Sequence, residues 1–66
     1  MKITLNGDEQ EIGEEMSLLE LLESSGFRGK RVAVEINRQI VPRSLHAERR
    51  INAGDRVEIV HAIGGG

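Results

Sequence analysis

The chain contains no cysteine, no tryptophan and no tyrosine, one phenylalanine (Phe27), one proline (Pro42) and no long apolar run. Each scarcity excludes something. Without cysteine there is no disulfide framework, no thiolate metal cluster and no thiol nucleophile, and the chain suits a reducing compartment. With one aromatic ring, aliphatic side chains have to fill the core. Nine Lys and Arg against eleven Asp and Glu give a formal net charge of -2, so no global positive field gathers nucleic acid. The one basic cluster, Arg28-Gly29-Lys30-Arg31, is short and has no interleaved aromatics on which bases could stack. No segment approaches the ~20 apolar residues that span a bilayer, and Met1-Lys2 leads into an alternating pattern rather than an export signal. The expectation is a cytoplasmic protein with neither a nucleic-acid nor a membrane partner.

What is present fits one small domain. Sixty-six residues lie near the size at which folding buries only roughly 60% of the unfolded surface, so the core must be thin. Apolar residues alternate in Lys2-Ile3-Thr4-Leu5-Asn6, and Asn6-Gly7 suits the positive φ angles of a tight hairpin. Gln10 to Gly13 is expected to return as a second strand. The period then changes. Ser17 and Glu20 form a capping-box pattern, with Met16 and Leu21 as the accompanying staple, so a helix should begin at Leu18. Leu18, Leu21 and Leu22 make one apolar stripe, and Gly26 is placed to end the helix in the left-handed conformation. Such a helix of about two turns is stable only when packed on a sheet.

Val32, Val34 and Ile36 alternate with Ala33, Glu35 and Asn37 as a strand with one strongly buried face. After a break at Arg38-Gln39, Ile40-Val41 should form a fourth strand that Pro42 keeps short or at an edge. Ser44 to Glu48 reads as a helical turn with Leu45 inward, Ile51 as a further core residue, and Asn52 to Asp55 as a turn. Arg56 to Ala62 is the last strand, with Val57 and Ile59 on one face and Glu58, Val60 and Ala62 on the other. The order β-β-α-β-β-β indicates an α+β domain, a mixed sheet of about five strands packed on one helix. The domain is expected over residues 1–62 and a flexible tail over 63–66.

That tail, Ile63-Gly64-Gly65-Gly66, bears on function. Glycine has no Cβ, so such a segment can thread a channel little wider than a peptide and present a carboxylate to another enzyme. A frayed terminus reads the same way. Elsewhere, structural roles account for the polar residues: Ser17 and Ser24-Ser25 at helix ends, Glu14-Glu15 before a helix N-terminus, His46 in solvent, and His61 half-buried and hydrogen-bonded near the strand end. No P-loop or metal-ligand spacing is present. Val60 and Ala62 face away from the helix, so Val60 either belongs to a docking patch with Ile63 or packs on Thr4 or Ala33.

Ala33-Val34-Glu35-Ile36-Asn37-Arg38-Gln39-Ile40-Val41-Pro42-Arg43-Ser44, the segment Gly54-Asp55-Arg56-Val57-Glu58-Ile59-Val60 and the terminal Gly-Gly together resemble the ThiS family of thiamine-biosynthesis sulfur carriers. The resemblance runs over essentially the whole chain, and its specificity comes from the combination. It implies the ubiquitin-like β-grasp fold, with the first and last strands parallel neighbours. It further implies that the chain is not an enzyme. An E1-like activating partner (ThiF-like), using ATP and Mg²⁺, would adenylate the carboxylate of Gly66. Sulfur from a cysteine desulfurase would convert it to a thiocarboxylate, for delivery to a thiazole synthase (ThiG-like). The chain itself would bind no cofactor or metal. Gly64 departs from the pattern as an extra glycine, leaving Gly65-Gly66 as the reactive end. The alternatives are a carrier of the molybdopterin-synthase small-subunit type, a protein modifier joined through the same glycine, or an interaction module with an inert tail.

Overall fold

In a computed structural model of the chain, residues 1–61 are described; Ala62, Ile63, Gly64, Gly65 and Gly66 lie outside the described residues. Strand β1 (Lys2–Leu5) and β2 (Asp8–Glu11) form a hairpin. Helix α1 (Leu18–Ser24) follows, then β3 (Val32–Ile36), β4 (Gln39–Ile40), a 3-10 turn at Arg43–Leu45, and β5 (Arg56–His61). The sheet order is β2-β1-β5-β3-β4. β5 runs parallel to β1 and antiparallel to β3, so the last strand lies mid-sheet. Because the side-chain period in a strand is two, Ile3 and Leu5, Val34 and Ile36, and Val57 and Ile59 all point to one face. There they form a single core with Leu18, Leu21 and Leu22 of α1, joined by Val41 and Ile51.

The helix is fixed at both ends. The Ser17 hydroxyl accepts from the Glu20 N–H at 3.1 Å and the Glu20 carboxylate accepts from the Ser17 N–H at 2.9 Å, completing the capping box. The first two helical N–H groups donate to Arg49 and His46 carbonyls, so the start of α1 is closed by the loop before β5. At the other end Phe27 N–H donates to Leu22 O and Gly26 N–H to Glu23 O, with Gly26 at φ 88°. This is a Schellman motif, in which a left-handed glycine lets the chain reverse without a Cβ clash.

Glu20 also gives the fold a pH dependence. Its hydrogen bonds from the Ser17 backbone, then from the Ser17 side chain, hold its carboxyl below the ordinary value of 4.5, with a smaller contribution from Arg50. A group whose folded pKa is depressed stabilises the fold above its unfolded pKa and loses that contribution as pH falls through the folded one. Glu20→Gln, which keeps an acceptor but no charge, is expected to melt below the unaltered protein at neutral pH. The gap should close well below pH 4.5. Melting curves against pH check this, and a gap independent of pH would remove the charge from the account.

The first hairpin turn is the expected Asn6-Gly7, but the strand after it starts early, and the second turn is shifted by one residue. Asn6 and Gly7 both have positive φ, 49° and 88°, a two-residue turn that pairs Leu5 with Asp8, so β2 begins at Asp8 instead of Gln10. Asn37 and Arg38, at φ 52° and 68°, make the second such turn and pair Ile36 with Gln39. The break is therefore Asn37-Arg38, not Arg38-Gln39. A one-residue slip reverses every face, which is why Ile40 is 74% exposed while Val41 is in the core. The helical turn also has a different phase: Leu45 is exposed and His46 is 5% exposed, against the expectation of an inward Leu45 and a solvated His46. His46 Nε2 lies 3.1 Å from the Val41 carbonyl and donates to it, since a carbonyl only accepts. Both edges are protected: β2 is charged and wholly exposed, and β4 has two residues before Pro42.

Candidate functional site

β5 carries the chain to its C-terminal end, and the contacts around it show what holds it in place. On one side Asn6 N–H donates to Val57 O, and the Asn6 side-chain oxygen accepts from Ile59 N–H at 2.7 Å, so an amide side chain extends the parallel ladder past the end of β1. On the other side Asn37 N–H donates to Arg56 O, while Asn37 Oδ1 accepts from Arg56 N–H at 3.0 Å. Asn37 Nδ2 in turn donates to Asp55 Oδ1, and Asp55 Oδ2 accepts from Asn52 N–H. Asp55 is buried, and both its oxygens are occupied. The Asn37 turn and the Gly54-Asp55 turn, far apart in sequence, are thus one clasp on the start of β5.

Beyond that clasp, the outer sheet face presents the candidate docking residues. Val60 is 60% exposed and stands directly opposite exposed Ala33 on β3, one of the two neighbours expected for it, whereas Thr4 pairs with Arg56. In the adjacent row Glu58 of β5 faces Glu35 of β3, which also pairs with exposed Ile40 of β4. Like charges directly opposed across strands are destabilising. Ile40 gave no sequence signal as a surface residue, because its exposure depends on the turn register. His61 is exposed, not half-buried, and its ring lies 5.8 Å from that of Phe27. Glu15 is at φ 59° and its carbonyl accepts from Arg50 Nη1, a structural role. Of the other expected site residues, Ala62, Ile63, Gly64, Gly65 and Gly66 fall outside the described residues. Among the described residues no group of His, Asp and Glu side chains could hold a metal ion, and no helix is long and apolar enough to cross a membrane.

A mixed five-stranded sheet on one helix, with parallel first and last strands and the chain leaving from mid-sheet, defines a ubiquitin-like β-grasp protein. A model of the ThiS family matches residues 3–66, and the chain belongs to that family. It is 33% identical to the sulfur carrier protein ThiS of Escherichia coli over 66 residues, the full length of both. It is 44% identical over 66 residues to a thiazole synthase of Paramagnetospirillum magneticum, of whose length it spans 20%. The crystal structure of the thiamine biosynthesis protein ThiS from Geobacter metallireducens superposes with a TM-score of 0.88 at 29% identity, covering 100% of both chains.

Proposed function

We propose that this chain is a sulfur carrier protein for thiamine biosynthesis, acting as a substrate of other enzymes rather than as a catalyst. The observation that carries the reading is the family match over residues 3–66, which takes in the terminal Gly65-Gly66. A carboxylate is a poor electrophile because its charge is delocalised. Attack of the Gly66 carboxylate on the α-phosphorus of ATP, with loss of pyrophosphate, gives an acyl-adenylate whose leaving group is AMP. A persulfide sulfur then displaces AMP to give an acyl disulfide, and attack by a thiol of the partner on its S–S bond releases the C-terminal thiocarboxylate and leaves a disulfide; inorganic sulfide would displace AMP to the same product directly. An E1-like partner would hold ATP and Mg²⁺, and a cysteine desulfurase would supply the sulfur.

The relative named thiazole synthase carries a matching segment over 20% of its length, which supports a thiazole synthase as the recipient and thiamine over molybdopterin as the pathway. The tail, residues 63–66, would enter the partner while the folded residues dock outside it. The test is the intact mass of the chain after incubation with an activating enzyme of this family, ATP and a sulfide source. Replacement of one oxygen by one sulfur is expected. An unchanged mass, with the enzyme active on its own carrier, would overturn the reading.

The docking surface would centre on Val60 and Ala33, extend through Ile63 and Ala62, and be flanked by Ile40. Apolar residues at the middle of a patch with charged neighbours suit an interface, and the Glu35–Glu58 pair would be relieved by a cation from the partner. Val60→Lys keeps the fold, since the side chain is largely in water and lies beside two carboxylates. It is expected to raise the KM for adenylation at least about tenfold, the order expected from placing an unpaired charge in an interface. Unchanged KM would remove Val60 from the contact.

A further inference from the structure

A second surface, distinct from the outer sheet face, opens beside the end of β5. A groove of about 220 Å³ runs between α1, the 27–32 loop and the 43–47 segment. Its walls are apolar: Leu19, 40% exposed, with Leu22, Phe27 and Val32. Its rim is cationic, formed by exposed Arg28, Lys30, Arg31 and Arg43, with Glu23 as the one acid among the lining residues. This concentrates a wider asymmetry. Residues 1–27 carry one base against seven acids, and residues 28–66 carry eight bases against four acids, so the near-neutral whole conceals two halves of opposite sign.

We propose that this groove docks an acidic segment of a partner protein, one apolar side chain of which enters the groove while flanking carboxylates meet the cationic rim. The apolar walls demand an apolar anchor, which a free anion or a phosphate backbone does not have. The cations select acidic flanks and disfavour basic ones. The location selects the partner, a step that rests on the carrier reading. Val32 is the cross-strand neighbour of His61, and the Phe27 ring lies 5.8 Å from that of His61, tilted by 54°. Residues 62–66 add five residues, which reach at most roughly 18 Å at about 3.3–3.6 Å each. A protein that takes the end of the chain into its active site therefore comes within that distance of the groove, and an interface of ordinary size, about 800 Å² per partner, readily covers it.

The test uses the full chain, ¹⁵N-labelled, titrated with a short synthetic peptide of Glu and Asp residues around one Leu and one Phe. Amide shifts are expected at Leu19, Phe27 to Val32 and Ser44 to Ala47. Affinity should fall at least about tenfold between about 0.05 and 0.3 M salt, as rim charges are screened. The same peptide with Ser in place of Leu and Phe should bind at least about tenfold more weakly, since the buried apolar surface is lost. The double variant Arg28→Glu, Lys30→Glu should keep its native spectrum but lose the peptide. With the activating enzyme its KM should rise at least about tenfold with kcat unchanged, the pattern of lost uniform binding.

Shifts confined to the outer sheet face, or equal binding of the Ser peptide, would overturn the proposal. So would preferential binding of phosphatidylglycerol vesicles or a single-stranded oligonucleotide. An unaltered chain that gains sulfur, beside a double variant with unchanged KM, would sink the groove and leave the carrier reading standing. An unaltered chain that gains no sulfur, yet binds the peptide in the groove, would sink the carrier reading and leave an acidic-segment site.

Discussion

Leu18→Ala is expected to unfold a substantial fraction of the protein at physiological temperature. Leu18 is the first helical residue of α1 and has no exposed surface, so truncation leaves a void on which sheet and helix can only partly close. Buried Leu→Ala changes cost about 2–5 kcal/mol. A domain of 66 residues has in total about 3–10 kcal/mol, at about 0.05–0.15 kcal/mol per residue. The loss is therefore a large part of the whole. The helix is seven residues long and does not survive without the sheet, so no partly folded state is expected to take over. Denaturation by heat or urea followed by circular dichroism checks this, with the midpoint expected to drop by at least about 10 °C. Leu19→Ala, one residue further and 40% exposed, should shift it by less than a third of that. Equal effects at the two positions would mean that the packing of α1 is misassigned.

This contrast also shows what could be read before any coordinates. The stripe Leu18, Leu21 and Leu22, the capping box at Ser17 and Glu20 and the left-handed Gly26 are all local features, and each signals through residues within one turn of one another. The strands, too, declare their buried faces by alternation, which is why the orientation of Val57, Ile59 and Val60 was legible. The register of the second hairpin turn was not. Arg38 adopts a left-handed φ of 68° without being glycine, because the Asn37 side chain is held by Asp55 and Arg56, and that clasp joins residues 18 and 19 positions apart. From the shifted turn come the exposure of Ile40 and the inward place of Val41.

His46 fell the wrong way for a related reason. The phase of a single helical turn is set by its neighbours, here the His46 carbonyl accepting from Leu19 N–H and the imidazole donating to Val41 O. The groove beside β5 is harder still, since its basic loop reads in sequence as an ordinary solvated cluster. Only folding sets Leu19, Phe27 and Val32 beside it.

Converting the terminal carboxylate of Gly66 to an amide is expected to abolish sulfur loading altogether, with no effect on stability. An amide lacks the anionic oxygen that would attack ATP under the proposed carrier reading, so the first bond of that sequence cannot form. The loss should be complete, not graded, because no other group of the chain can take its place. This change is cleaner than deleting Gly66, since three consecutive glycines mean that the shortened chain still ends in Gly64-Gly65. That shortened chain tests a different quantity. It retains a glycine carboxylate but brings it up to about 3.6 Å less far from His61, and misplacement of a reacting atom by about 1 Å already costs on the order of 10²-fold in rate. Partial loading of the shortened chain beside none of the amide would show that the partner reads distance as well as chemistry. Removing both Gly65 and Gly66 should then give no product. Thiocarboxylate found on the amidated chain would place the sulfur elsewhere and end the carrier account, whereas full loading of the shortened chain would show that the extra glycine only adds slack.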